Sequence, residues 1–324
     1  MNLRLLRRVA VMLIISAVLG FNLNGQTRSD VIKVYNEGAK TVKTDVNASI
    51  EAFENVIKLA AEVGETCDDL RDRAIQILPG LYVRLANDAL SEKKPAAELI
   101  KASKTAVAAA EKYNNETHRE NANKLLVQGY YNLGNEYFNT RDYDNALLVY
   151  DSLLAINPDY TAAIFNKALL YRNQDDAENF EGTIDLCIEK ASAANDTARA
   201  QQASGVALEY FRAAGSRANQ ADNLEEALGL LNKSAKYGDD KDLFYYFADV
   251  YNKQKNYNSG AEYAQKGLDM ETGDAEAKAK FYYQLAVAQA GKGQNAEACA
   301  SFKNAMYGPF LEASKAQRTN LKCQ

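Results

Sequence analysis

Residues 127–160 read VQGYYNLGNEYFNTRDYDNALLVYDSLLAINPDY. Two helices are legible in this stretch. Tyr130, Leu133, Gly134 and Tyr137 stand at spacings of three, one and three, which lines one face of a helix. Ala146, Tyr150, Leu153 and Ile156 follow at four, three and three, a second stripe of the same kind. The polar run Asn139-Thr140-Arg141-Asp142 separates them. Pro158 closes the unit, because the residue before a proline is pushed out of the helical region. Gly134 and Ala146 are small at the places where two antiparallel helices must come close.

The spacing recurs on both sides. Residues 241–274 carry Phe244, Phe247, Ala248 and Tyr251, then Gly260, Ala264 and Gly267. A further unit starts near Ala279, with Tyr282, Leu285 and Ala286 followed by Ala298, Phe302 and Ala305. Ile164, Ala168 and Tyr171 open another, whose turn is expected to be lengthened around Asp175 to Asn179 before Ile184 and Cys187. Val206, Ala207 and Tyr210 precede Ala227, Leu231 and Ser234, and the run AGSRANQADN between them (214–223) reads as a long polar turn. Towards the N-terminus, Tyr35, Gly38, Ile50, Phe53 and Ile57 fit the same frame, and residues 70–113 form a degenerate unit. Pro79 there should kink its helix or mark its first turn.

The quoted stretch resembles a tetratricopeptide repeat (TPR), a 34-residue helix-turn-helix unit. Tyr130, Leu133, Gly134, Tyr137, Ala146, Tyr150 and Pro158 fall on the marked positions of that family's pattern, with Leu153 a larger variant at another. The resemblance implies an all-α fold, a right-handed superhelical solenoid of antiparallel helix pairs occupying residues 26–324 as a single domain. Repeats are expected at about 31–66, 67–113, 127–160, 161–195, 201–238, 241–274 and 279–312, with a closing helix at 310–323. The physics agrees with repetition, since one hairpin cannot bury its apolar face alone and stacked hairpins can.

The resemblance also implies a function: a non-catalytic scaffold that binds a peptide or protein partner through its concave face. In the family, residues beside the core stripe of each first helix line that groove. Carried over, they are Gln128, Tyr131, Asn135, Phe138 and Asn139 in the quoted repeat, with Phe165, Asn166, Tyr245, Asp249 and Tyr283 in the units that follow. Some family members grip a C-terminal carboxylate with lysines, an arginine and two asparagines. Asn135 and Asn166 match the asparagines, but Tyr131 stands at a lysine position, and Gln201 and Gly205 replace the remaining basic pair. A free C-terminus is therefore not the expected ligand. The alternative reading is a structural component of the cell envelope that self-associates.

The first 25 residues are a different kind of text. Arg4, Arg7 and Arg8 precede a thirteen-residue apolar run, Val9 to Phe21, and then a polar stretch. That run spans roughly 20 Å as a helix, short of the ~30 Å hydrocarbon core of a membrane. The order is that of a cleaved secretory signal peptide, with the mature chain starting near Gln26 and residing in the periplasm or outside the cell. A retained N-terminal anchor is the other reading. No cysteine follows the run to accept a lipid. Export permits disulfides. Cys67, Cys187, Cys299 and Cys323 have no close spacing, so neither a stapled mini-fold nor a zinc site is indicated. Cys187 and Cys299 fall on apolar faces, and Cys323 is expected to be exposed, able to pair with Cys299 if the closing helix folds back.

Chemistry-bearing patterns are scarce. The one histidine, His118, lies in Thr117-His118-Arg119-Glu120, which reads as a capping box at a helix start. No Gly-rich phosphate loop, histidine triad or metal-ligand spacing occurs, so no cofactor and no metal are implied. Acid pairs such as Asp175-Asp176 and Asp239-Asp240 fall in turns or at helix starts, where carboxylates favour the positive end of the dipole. A formal charge of −5 argues against nucleic acid as partner. Twenty tyrosines with no tryptophan are accounted for mainly as repeat core.

Overall fold

In a computed structural model, residues 25–324 are described; the expected signal peptide lies outside them. The described residues form fifteen α-helices and no strand. They fall into two units that meet in sequence at Ile156 and Asn157. The first unit pairs α1 (Arg28–Thr41) with α2 (Val46–Val63), α3 (Asp68–Ser91) with α4 (Ala96–Lys112), and α5 (Glu116–Asn139) with α6 (Tyr143–Ile156). The second pairs α7 (Thr161–Asn173) with α8 (Ala177–Ala193), α9 (Thr197–Gln220) with α10 (Leu224–Ala235), α11 (Lys241–Lys253) with α12 (Tyr257–Met270), and α13 (Ala275–Gly291) with α14 (Asn295–Asn304). A short helix, α15 (Leu311–Asn320), follows a single 3-10 turn at Gly308–Phe310.

One turn is reused between helices. Its middle residue takes a left-handed backbone: Arg141 (φ 62°), Asp175 (58°), Asn195 (57°), Asp222 (63°) and Lys255 (61°). That geometry folds the next amide back onto the helix just ended. The amide of Asp142 donates to the Tyr137 carbonyl at 2.9 Å, that of Asp176 to Tyr171 at 2.9 Å, and that of Asn256 to Tyr251 at 2.8 Å. The same Asp or Asn then caps the next helix: Asp176 Oδ1 accepts from the Asn179 amide at 3.1 Å and Asp196 Oδ1 from Arg199 at 3.0 Å. A three-residue turn thus ends one helix and starts another.

Each unit is held by buried stripes. In the first, Phe53, Val56, Ala74 and Leu78 are fully buried, as are Ala146, Tyr150 and Leu153 of the quoted stretch. In the second, Phe180, Phe211, Phe247, Phe281 and Phe302 put a large ring into the core from every pair after the α7 helix. Each contributes on the order of 1.5–3 kcal/mol on burial. Gly134 permits the closest approach in the quoted hairpin, since a Cβ there would lie 2.5 Å from Tyr150 Cε1.

Five local expectations are corrected. The segment 214–223 is not a long turn: α9 stays helical to Gln220, and only Ala221-Asp222-Asn223 turn. This hairpin has a close approach at Gly215, where a Cβ would stand 2.8 Å from Leu231 Cδ2. The polar letters misled because Ser216 and Asn219 are buried helical residues, and Asn219 has its partner in the same unit. The turn near Asp175 is the ordinary three residues, with Asn179 already in the first turn of α8. Pro79 lies in the middle of α3 and not in its first turn, so the amide that would reach the Ile75 carbonyl is missing there. The cap of α5 is Asn115 rather than Thr117; its Oδ1 accepts from the His118 amide at 3.1 Å and sits 2.9 Å from His118 Nδ1. Finally, Cys323 is half-buried and bonded to Cys299, itself half-buried, with the Cα atoms 5.6 Å apart. Cys67 and Cys187 are free and buried, and burial pushes the Cys187 thiol up to about 11. Among the expected core tyrosines Tyr150 is fully buried, while Tyr130, Tyr137, Tyr171, Tyr210 and Tyr251 are half-buried.

Left-handed side chains at the turns are a reservoir of stability. Replacing Arg141 or Lys255 by glycine removes a Cβ penalty of about 1 kcal/mol, so either variant should be more stable than the parent by up to that amount. Urea unfolding followed by circular dichroism checks this; a loss of stability in both would contradict the turn geometry.

Candidate partner-binding surface

The sequence-predicted groove residues of the first unit all lie on α5. Tyr131, Asn135 and Phe138 are half-buried and Asn139 is exposed at the helix end. Gln128 Nε2 donates to Asn132 Oδ1 at 2.8 Å, one turn along the same helix. The hydroxyl of buried Tyr150 donates to Asn135 Oδ1 at 2.6 Å, so the core orients this amide. The ring of Phe138 meets that of Tyr143 across the turn, with centroids 6.2 Å apart. These residues therefore form one ordered stripe of aromatic and amide groups.

In the second unit the predicted residues divide. Phe165 on α7 is only 4% exposed, with the Arg199 guanidinium 5.0 Å from its ring centre, and offers little free surface. Asn166 beside it is half-buried. Tyr245 and Asp249 on α11 and Tyr283 on α13 are brought together. Two polar rungs cross this region, and of the residues that build them only Asp249 was in the predicted set.

The upper rung pairs Arg212 of α9 with Asp240, and Asp242 of α11 with Lys280 of α13. The lower rung centres on Asp249. Its Oδ2 accepts from Asn219 Nδ2 of α9 at 2.6 Å, and its Oδ1 accepts from Gln284 Nε2 of α13 at 2.9 Å. Asn252 Nδ2 donates to the side-chain and backbone oxygens of Gln284, both at 2.9 Å, and Lys253 Nζ donates to Asn219 Oδ1 at 2.9 Å. Asn219 and Gln284 are each 3% exposed, so these are interior bonds. Tyr245 stands between the rungs. Its ring lies 5.6 Å from Lys280 Nζ and meets Phe281 edge-on at 6.3 Å. Burial pushes its hydroxyl up to about 12, with the Asp249 charge adding in the same direction.

Arg212, Asn219, Asp242 and Asp249 share a signal that a corrected register would have exposed. Arg212 and Asn219 are seven residues apart on α9, as Asp242 and Asp249 are on α11. Seven residues is close to two helical turns, so each pair faces one way. Reading 214–223 as a turn broke the pattern. Gln201 and Gly205 lie in the first turns of α9, well before its close approach at Gly215.

Chemically the surface offers aromatic faces, amides and paired charges. Among the described residues no group of three or more His, Cys, Asp or Glu is placed to hold a metal. No described helix is long and apolar enough to cross a membrane.

The fold and its ordered helix faces define a helical-hairpin repeat protein. The family model described as tetratricopeptide repeat matches residues 127–160, the second half of α5 with α6 and the residues just after it. Residues 127–160 thus carry a tetratricopeptide repeat. Solved structures similar to the protein include a tetratricopeptide repeat protein from Parabacteroides merdae, 15% identical, covering 90% of this chain and 98% of that one with a TM-score of 0.29. Another is YrrB, described as a TPR protein with an unusual peptide-binding site, 14% identical over 58% of this chain and 91% of its own, with a TM-score of 0.36. A third is MamA, 18% identical over 61% of this chain and 96% of its own, with a TM-score of 0.31. No curated protein matches the chain.

Asp249→Ala leaves Asn219 and Gln284 each without the acceptor that its burial requires. The variant should lose about 2–4 kcal/mol in the second unit. Hydrogen exchange should show reduced protection in α9, α11 and α13, with α1 to α5 unchanged. Equal protection in variant and parent would mean the rung carries no stability.

Proposed function

We propose that this protein is an exported, non-catalytic scaffold that holds a peptide or protein partner on the first-helix faces of its hairpins. The observation that carries the reading is the grouping of Tyr245, Asp249 and Tyr283 on neighbouring first helices, with Asp249 held by Gln284 before any partner arrives. A surface ordered in advance spends less conformational entropy on binding. Tyrosine suits it, because the ring gives apolar contact and the hydroxyl a hydrogen bond to a backbone. The stripe Tyr131, Asn135 and Phe138 has the same chemistry on the first unit. Asp249 acts through its rung rather than as a free acceptor, since both carboxylate oxygens are engaged.

The test is selection of a displayed random-peptide library on the mature chain, followed by two double variants. Tyr131→Ala with Phe138→Ala should weaken an enriched peptide bound at the first unit, and Tyr245→Ala with Tyr283→Ala one bound at the second. Each aromatic anchor removed costs about 2 kcal/mol, or roughly thirtyfold in Kd. Helical content must stay at the parent level. Failure to enrich any peptide, or binding unchanged by both doubles, would overturn the reading.

Export rests on the basic-apolar-polar order of the first 25 residues. The native protein should therefore begin near Gln26. Intact-mass analysis decides this, and a retained Met1 or an acylated N-terminus would sink it.

A further inference from the structure

We infer that the segment from Tyr307 to Cys323 is a thiol-releasable lid over Tyr283. The contact of Phe310 with Tyr283 is direct, and its consequence for partners rests on the proposed groove.

After α14 the chain turns at Gly308-Pro309-Phe310 and brings the Phe310 ring to 5.3 Å from that of Tyr283. Tyr283 also meets Phe302 edge-on at 5.7 Å. It is therefore held between a fixed core ring, Phe302 at 1% exposed, and a ring supplied by the lid. Tyr283 stands on a first helix beside Gln284, which holds Asp249, so the lid covers one end of the ordered surface of the second unit.

The lid is thinly held by packing. Of the ten residues in α15 only Ser314 is buried, and its hydroxyl has no hydrogen-bond partner. By contrast α13, in the preceding pair, buries Ala279, Phe281, Gln284, Ala286 and Ala288. Beyond Phe310, the lid is anchored at its far end. Leu321 packs on Ala286, Ala298 and Phe302, Arg318 donates to the Cys299 carbonyl, and Cys323 is bonded to Cys299 across a sequence separation of 24. The covalent bond supplies what the apolar face of α15 does not.

That bond is the part of the lid that chemistry can open. Both of its cysteines are half-buried, whereas the free thiols Cys67 and Cys187 are fully buried and do not compete. A dithiol reductant is the co-reactant. One of its thiolates attacks a bridge sulfur, the S–S bond breaks, and a mixed disulfide forms while the other protein sulfur leaves as thiolate. The second donor thiol then displaces the remaining protein sulfur. The donor ends as a disulfide, and Cys299 and Cys323 each take up a proton, for two electrons and two protons in all. With the far anchor cut, α15 swings on the 308–310 turn and Phe310 leaves Tyr283.

The experiment uses the mature chain, oxidised, reduced with dithiothreitol, and as Cys323→Ser, with no ligand present. Closing a loop of this length constrains the chain enough that exchange in 308–320 should quicken by up to about a hundredfold once it is cut. Nitration of Tyr283 by tetranitromethane, mapped by mass spectrometry, should rise in the reduced chain and in Cys323→Ser, with Tyr245 unchanged as internal control. Phe310→Ala in the oxidised chain should raise Tyr283 nitration while α15 stays protected. Unchanged Tyr283 nitration on reduction overturns the lid. So does a matching loss of protection in α13 and α14, which would make the bridge a support for the body of the unit. Because no peptide is involved, failure here leaves the peptide-selection result standing, and the reverse holds as well.

Discussion

Two helices joined by a three-residue turn bury one stripe against each other and leave a second apolar stripe bare. Everything in this protein follows from the need to cover that second stripe. Gly134 lets Tyr150 sink fully into its own hairpin, and in the second unit the rings of Phe180, Phe211, Phe247 and Phe281 succeed one another pair by pair. Within each unit the cover for a hairpin is its neighbour, so contacts stay local and the first helices of successive pairs come side by side. The last pair, α13–α14, has no such neighbour after it in the described chain. A single weakly apolar helix and a disulfide stand there in its place.

Side-by-side first helices create a second constraint. Polar groups at their seam are taken out of water and must be satisfied there. In the second unit the solution is collective: one carboxylate, Asp249, accepts from amides on the helices to either side, and those amides are held in turn by Lys253 and Asn252. In the first unit the buried Tyr150 hydroxyl performs the same service for Asn135. A partner would thus meet side chains whose positions the core already sets. The cost is that stability and recognition share residues, so substitutions on this surface act on both.

The turns are economical for a related reason. With one left-handed residue and one Asp or Asn cap, a helix ends and the next begins within three residues. Short turns keep the two stripes of a hairpin in register, which the close contacts at Gly134 and Gly215 demand. Lysine, arginine and aspartate occupy the left-handed position although glycine would fit it better, and only Gly293 uses that residue between paired helices.

The helix class, the pairing and the core of the 127–160 hairpin were legible in the letters, because apolar spacing and turn chemistry act over a few residues. Tyr150, Leu153 and Ala146 are buried as their spacing requires. The same locality is why the reading failed at 214–223. Ser216 and Asn219 look like surface until Asp249, thirty residues further on, is placed against Asn219. No local pattern contains that bond, so neither the register of α9 nor the rung could be read from sequence. The groove residues were legible as a stripe, but their standing was not: Phe165 is closed off, Asp249 is committed to its neighbours, and Tyr283 lies under Phe310. The Cys299–Cys323 bond was legible only as a condition, since it depends on α15 folding back onto α14. The sequence by itself determined what each hairpin is; tertiary structure alone decided which polar and aromatic side chains the stacking left available, because that depends on partners distant in the chain.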